Sequence, residues 1–294
     1  MDSNSFQPGI LAPPPSVGAS LTFRLATTAN LAAALTHFAH GFSPSLGVVG
    51  LGEPLLRALG REVPGLRTFP GLSGPGHSIP STQQALWIYL RGEERGNVFD
   101  SVRKIEALSD GLLAVEQSVE TFLYSGGRDL TNYEDGTENP AGDAATAAAF
   151  VAEGDGLAGS SFVAVQRWVH SLAHFHGRSA EERDHVFGRR QATNEEIPDA
   201  PVAAHVKRSA QESFSPPAFM VRRSMPWATA SEHGLEFVAF GASLDPFEQV
   251  MRRMLGLEDN TVDALFSFSR AVTGGYYWCP PVANGRLDLR MLGL

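Results

Sequence analysis

The stretch Asn132-Tyr133-Glu134-Asp135-Gly136-Thr137-Glu138-Asn139-Pro140, near the middle of the chain, sets three carboxylates within five positions around an Asp-Gly step. Neither helical nor strand periodicity fits it, and Asp-Gly and Asn-Pro are turn dipeptides, so it is a tight polar loop. Read alone it is a solvated turn, a calcium-binding turn or a functional loop, and what accompanies it decides. Nine histidines are available. His170, His174 and His176 put two imidazoles at i,i+4, the spacing that brings metal ligands to one helix face, but no third ligand follows at a familiar zinc spacing. His205 has a different setting, apolar before it (Ala203-Ala204) and basic after it (Val206-Lys207-Arg208). Arg222 and Arg223 interrupt the apolar run Phe219–Trp227. A guanidinium there needs either a salt bridge to Asp or Glu or an anionic ligand, because its burial alone is costly.

Other chemistries lack their residues. The single cysteine, Cys279, permits no disulfide framework or cysteine zinc site and sits in an aromatic run as a small buried hydrophobe. No Gly-x-Ser-x-Gly elbow and no Gly-x-x-x-x-Gly-Lys loop occurs, which removes the usual hydrolase and nucleotide readings. A net charge of -9 argues against nonspecific nucleic-acid binding. No segment approaches 18 consecutive apolar residues and the first residues have no basic or apolar leader, so a cytoplasmic protein away from membranes is expected.

The elements that must position these residues alternate strands and helices. Residues 1–18, rich in Pro, Ser and Gly, read as an extended arm that packs over the body or reaches a neighbouring subunit. Strands are expected at Leu21–Leu25, Val48–Leu51, Gln84–Leu90, Leu112–Phe122, Ser161–Val169, Phe219–Ser224, Leu235–Phe240 and Gly274–Cys279, with Pro64–Pro80 a long loop. Helices are expected over 30–38, 97–108, 144–152, 180–187 and 246–255, with shorter turns at 54–59, from 171, and at 264–268. The halves rhyme: strand 21–25 with helix 30–38 matches strand 161–169 with the helix from 171, and strand 84–90 with helix 97–108 matches strand 235–240 with helix 246–255. This predicts an α+β protein of two ferredoxin-like domains, each an antiparallel sheet covered by helices, at 1–140 and 141–294.

Taken together, the segments resemble the dye-decolourising peroxidases, a haem family. The residues Arg128-Asp129-Leu130 followed by Tyr133-Glu134-Asp135-Gly136-Thr137-Glu138-Asn139-Pro140 resemble its signature loop. Further family blocks follow in order: Phe162–His170, Gly188-Arg189-Arg190-Gln191, Ala204-His205-Val206, Val221-Arg222-Arg223-Ser224-Met225-Pro226 and Ala271–Tyr277. The wording Asp-Gly-Thr-Glu-Asn-Pro suits the bacterial cytoplasmic branch (class B, P-type). Two positions depart from the pattern: Asn132-Tyr133 stands where the loop usually opens Gly-Phe, and Ser224 stands where this branch often has Asn.

The resemblance implies a dimeric-α+β-barrel-like arrangement with one haem b per subunit in the C-terminal half. It implies reduction of hydrogen peroxide through a ferryl intermediate and oxidation of small organic donors such as dyes and phenols; a haem-handling protein with incidental peroxidation is the alternative. His205 would be the proximal iron ligand, with Asp263 accepting its other N–H. Asp135 would be the acid–base group and Arg222 the stabiliser of developing negative charge, holding the Asp135 pKa down. An acidic activity optimum follows from that expectation. Arg189 and Gln191 would contact haem propionates, and Ser224 would be a further cofactor-binding residue, its shortness leaving peroxide handling to Asp135 and Arg222. The family further implies a homo-oligomer, and some members of the branch are encapsulin cargo.

Overall fold

The computed structural model describes residues 5–109 and 111–294. Ten strands form one sheet, in the order Leu113–Phe122, Val17–Leu25, Leu86–Gly92, Gly47–Gly52, Gly275–Cys279, Ser161–His170, His233–Gly241 and Val221–Arg222. Ser269–Ala271 joins Ser161–His170, and Met225–Ala228 joins His233–Gly241. The ladders are antiparallel. Within each half the four strands, numbered along the chain, lie in the order fourth, first, third, second, which is the ferredoxin-like arrangement. The matched pairs read from the sequence occupy equivalent places. The halves meet where Gly47–Gly52 pairs with Gly275–Cys279 through Gly52↔Tyr277 and Leu51↔Trp278.

The strands carry side chains on two buried faces because the sheet curls until its ends meet. Tyr89 Oη donates to Met225 Sδ at 2.6 Å, and Thr121 lies 3.8 Å from the same sulfur; strand Met225–Ala228, at one end of the sheet, thus lies beside Leu113–Phe122 at the other. Alternation along each strand then feeds two cores. Leu86, Ile88 and Leu90 pack outward under the helices, while Trp87 and Tyr89 face the interior with Val163, Val165, Val238 and Phe240. The interior also holds a polar chain: Trp87 Nε1 donates to Ser20 Oγ (2.9 Å), Ser20 Oγ donates to Glu236 (2.6 Å), and Arg167 Nε reaches Glu236 at 3.4 Å.

Helix Asp245–Met254 shows how sequence sets an element's place. Pro246 opens it, acids Asp245 and Glu248 stand at its N-terminus and Arg252 and Arg253 at its C-terminus, all in accord with the helix dipole. Phe247, Val250, Met251 and Met254 fall on one face and are buried, each side chain worth about 1.5–3 kcal/mol.

The arm packs on its own body. Gln7 is fully buried and its amide bonds Val49 on both backbone groups, while Arg223 donates to the carbonyls of Leu11 and Ala12. Residues 1–4 of the expected arm lie outside the described residues. At the other end Leu287, Leu289 and Leu292 are buried in the outer core. Two strand expectations change. The Pro64–Pro80 loop contains a short hairpin, Leu72–Gly74 with His77–Ile79. The strand expected over Phe219–Ser224 is reduced to Val221–Arg222, because Ser224 Oγ takes the Val238 N–H (3.3 Å) in place of a backbone carbonyl, and pairing resumes at Met225. Among the described residues no helix is long and apolar enough to cross a membrane.

Candidate active site

A cavity opens between helix Asp245–Met254, the outer face of strand His233–Gly241 and the polar loop. Phe247, Val250, Met251, Met254, Leu235 and Phe237 form its apolar wall. Asp135, Glu134, Glu138, Arg189, Asn194 and Arg222 supply polar lining, and its empty volume, counted out through the mouth, is ≈ 1180 Å³. An apolar slot with a few convergent polar groups is the ordinary form of a cofactor or substrate site.

His205 enters this cavity as the first residue of a one-turn helix, His205–Arg208. Four residues cannot hold a helix by themselves, so neighbours must. Arg208 grips both carboxylate oxygens of Asp259 at 2.8 Å and donates to the Arg253 carbonyl at 2.6 Å. Helix Ala180–Phe187, which has a Ser179–Glu182 capping box, ends at Gly188 with φ 79°. A Cβ there would come within 2.5 Å of Val206, so glycine allows both the turn and the close approach. Asp263 is buried; its Oδ2 lies 2.7 Å from His205 Nδ1 and its Oδ1 accepts the Leu265 N–H at 2.8 Å. With Nδ1 engaged, Nε2 is the ring nitrogen without a hydrogen-bond partner among the described residues. Such a backed imidazole is a good axial metal ligand.

The loop places Asp135 and Arg222 in the same cavity. Asn139 joins their elements: its Oδ1 accepts the Arg222 N–H (2.8 Å) and its Nδ2 donates to the Arg222 carbonyl (3.1 Å). The side chain thereby pairs with the strand as a backbone would. Gly136 takes φ 72°, and its backbone N–H favours the charged form of Asp135. Arg222 makes no ion pair among the described residues, and its Nε is buried without a partner. Arg223 is satisfied by carbonyls alone, those of Leu11, Ala12 and Arg222. The salt-bridge reading of this arginine pair therefore gives way, and Arg222 is left with a free guanidinium edge toward the cavity.

Comparison with known proteins agrees with this geometry. The model of the family described as "Dyp-type peroxidase, C-terminal" matches residues 126–284. The chain belongs to the Dyp-type peroxidase family. It is similar to the dye-decolorizing peroxidase of Mycolicibacterium paratuberculosis, with 32% identity over 74% of this chain, and the match spans 63% of that protein's length. The dye-decolorizing peroxidase of Rhodococcus erythropolis is 31% identical over 79% of this chain and 71% of its own. In three dimensions the chain resembles a DypB variant from Rhodococcus jostii RHA1 solved in complex with heme. The TM-score is 0.83 at 26% identity, covering 92% of this chain and 94% of that one.

Against the Dyp-type pattern, the two departures acquire structural answers. Asn132 adopts φ 70°, the left-handed conformation that the usual glycine would take, and asparagine is among the residues that tolerate it best. Tyr133 stacks on Phe187 with centroids 4.1 Å apart, and its hydroxyl donates to Asp184 at 2.5 Å. Ser224 stands outside the cavity wall, occupied by Val238. Gln191 is also outside it: its Nε2 donates to the Thr131 carbonyl at 3.0 Å and its N–H to Asp184. Arg189 lines the cavity and is held by Glu138 at 2.5 Å and by the Asn194 carbonyl at 3.0 Å.

Electrostatics corrects one expectation. Burial pushes the Asp135 carboxyl above the usual aspartate range; Arg222 pulls it down, but less than burial pushes, and Asp129 adds to the rise. The sequence reading weighed the arginine and had no measure of desolvation, which outweighs it here. His170, His174 and His176 do not converge. His170 ends a strand and bonds Asp129 and Ser269, whereas His174 bonds Arg178. Asn139, Arg208, Asp129 and Ser269 were not singled out from sequence. Asp129 and Arg208 stood only within quoted stretches and Asn139 only as half of a turn dipeptide, whose pairing role depends on a strand more than eighty residues away.

Proposed function

We propose that this Dyp-type peroxidase is a haem-dependent enzyme that reduces hydrogen peroxide and oxidises small organic electron donors, dyes and phenols among them, with one haem b per subunit. The observation that carries this reading is one cavity holding three groups: an imidazole with Nε2 free and Nδ1 on a buried carboxylate, a carboxyl group, and an unpaired guanidinium. The donor set suits haem, since histidine is a common axial ligand and the largely apolar lining suits a macrocycle. The heme complex of the related DypB variant supports the same choice.

When bound, haem iron supplies the redox centre at which the O–O bond of peroxide is cleaved. His205 would hold the iron through Nε2, and Asp263 fixes the ring's tautomer and raises its basicity. Asp135, as carboxylate, takes a proton from one peroxide oxygen and gives it to the departing one. Arg222 places its unpaired N–H groups where negative charge develops. Arg189 would hold a haem propionate in place of Glu138, while Gln191 and Ser224 would serve by fixing the loop and the strand. The family resemblance extends the proposal to a cytoplasmic homo-oligomer of two ferredoxin-like units dividing near residue 140.

The test is stopped-flow absorbance of haem-loaded protein with one equivalent of peroxide. Rapid Soret change in wild type is expected to slow by ~10²–10⁴ in Asp135→Ala and by ~10²–10³ in Arg222→Ala, with haem still bound in both. An unchanged ferric spectrum in wild type would replace this reading with haem binding alone.

A further inference from the structure

Beside the cavity lies a chain of buried polar groups that the mechanism above does not use. Ser269 Oγ is 2.7 Å from His170 Nδ1, and His170 Nε2 is 3.1 Å from Asp129 Oδ1. Asp129 Oδ2 accepts the Thr131 N–H (2.8 Å) and hydroxyl (2.6 Å). Asp129, His170 and Ser269 are each less than one tenth exposed, and Asp129 and His170 both line the cavity. The loop folds so that Asp129 and Asp135 flank one bridge. Asp129 N–H donates to the Tyr133 carbonyl (2.9 Å), Arg128 pairs with Glu134, and Asp135 N–H reaches back to the Gly127 carbonyl at 3.3 Å.

We propose that Asp129, His170 and Ser269 form a charge-setting unit that adjusts the proton affinity of Asp135, with Asp129 and His170 as positioning residues. The inference rests on Asp135 being the acid–base group of the proposed reaction. Its physical basis is that the unit has two charge states within one set of hydrogen bonds. With the imidazole neutral, Ser269 donates to Nδ1, Nε2–H donates to Asp129, and the unit carries one negative charge. With the imidazole protonated, Ser269 turns its hydroxyl to accept, both ring nitrogens donate, and the unit is neutral. A serine hydroxyl can rotate to serve either state.

A negative charge beside a buried carboxyl raises its proton affinity; neutralising that charge lowers it. With the unit neutral, Asp135 is spared a like charge and ionises more readily. With the unit anionic, the proton on Asp135 is held longer. The other charges facing Asp135 are accounted for: Arg222 comes from strand Val221–Arg222 and His205 from its one-turn helix, and both favour the carboxylate. Glu134 and Glu138 are paired to Arg128 and Arg189. Around His170 the remaining close ring is Phe268, which carries no charge.

The experiment follows the titration of the Asp135 carboxyl by ¹³C NMR in protein labelled at aspartate Cγ, with and without haem, the signal being assigned by its loss in Asp135→Asn. Asp129→Asn removes the negative charge and should move the midpoint down by about one pH unit. His170→Gln, which still donates to Asp129 but cannot become a cation, should move it up, and Ser269→Ala should move it up by less. A packing defect would shift all three in one direction, so opposite signs for Asp129→Asn and His170→Gln support the unit. Midpoints unmoved in folded Asp129→Asn or His170→Gln, or moved alike in both, overturn it. Because the cofactor-free titration is read separately, a wild type inert to peroxide would sink the peroxidase reading while the midpoints still decide this one.

Discussion

Asp135 faces two opposed demands that its surroundings reconcile. In the proposed reaction it must be a carboxylate to accept a proton, yet hold that proton well enough to return it. Burial raises its pKa above the ordinary aspartate range and Arg222 tempers the rise. The same balance makes a stability prediction with a definite sign. A folded pKa above the unfolded value means that the folded state binds the proton more tightly. Stability is therefore full below the unfolded value and falls as pH rises through the folded pKa. Above that window the wild type carries a buried charge that Asp135→Asn lacks. Thermal melts should find Asp135→Asn more stable than wild type at pH 7 and the two converging near pH 4. An advantage that stayed constant with pH would mean that the gain comes from hydrogen bonding and not from charge burial.

At the scale of elements, the site depends on a loop behaving as though it were a strand. Asn139 gives the loop two strand-like hydrogen bonds to Arg222, which fixes the carboxyl and the guanidinium relative to each other. Asn139→Ala should lower the rate of reaction with peroxide by ~10², the penalty for displacing reacting groups by an ångström, while haem affinity measured by Soret titration stays close to wild type. Asn139→Asp keeps the acceptor for Arg222 N–H but loses the donor, and should fall between. Equal loss of haem would show that Asn139 supports the cavity as a whole. This element also marks the limit of what sequence discloses. The loop, His205 and Arg222 drew notice because each stands in a stretch resembling a family block, and Asp263 came with that resemblance. So was the helix Asp245–Met254, whose apolar positions repeat at helical spacing. The hairpin inside Pro64–Pro80 was not, since three-residue strands leave too little alternation to see. The break at Ser224 escaped because a side-chain oxygen replaces a carbonyl there. The linkage of Asp129, His170 and Ser269 joins residues far apart in the chain, and only the folded sheet brings them together.

At the scale of the molecule, the duplicated halves share one sheet, and their shared seam is short. Only Gly52↔Tyr277 and Leu51↔Trp278 register across it, which leaves Val49, two residues along, to be satisfied otherwise. Gln7 does this: its Oε1 accepts the Val49 N–H at 2.8 Å, and its Nε2 donates to the carbonyls of Val49 and Pro280 at 2.9 and 3.0 Å. The arm is therefore a substitute strand at the joint, held further along by Arg91 on Pro13 and Arg223 on Leu11 and Ala12. Gln7→Ala leaves a buried donor and buried acceptors unpaired, at about 1–3 kcal/mol each, so urea unfolding should show a loss of about 3 kcal/mol or more. Amide exchange should quicken at Val49 before it does in the outer strands. Gln7→Glu separates hydrogen bonding from packing, since it fills the same space. As a carboxylate it still accepts from Val49 N–H but sets negative charge against two carbonyls; protonated, it donates one hydrogen bond to that pair. Gln7→Glu should accordingly approach wild-type stability in acid and lose it towards neutrality. A pH-independent deficit equal to that of Gln7→Ala would mean that the seam is held by apolar packing, with the amide incidental to it.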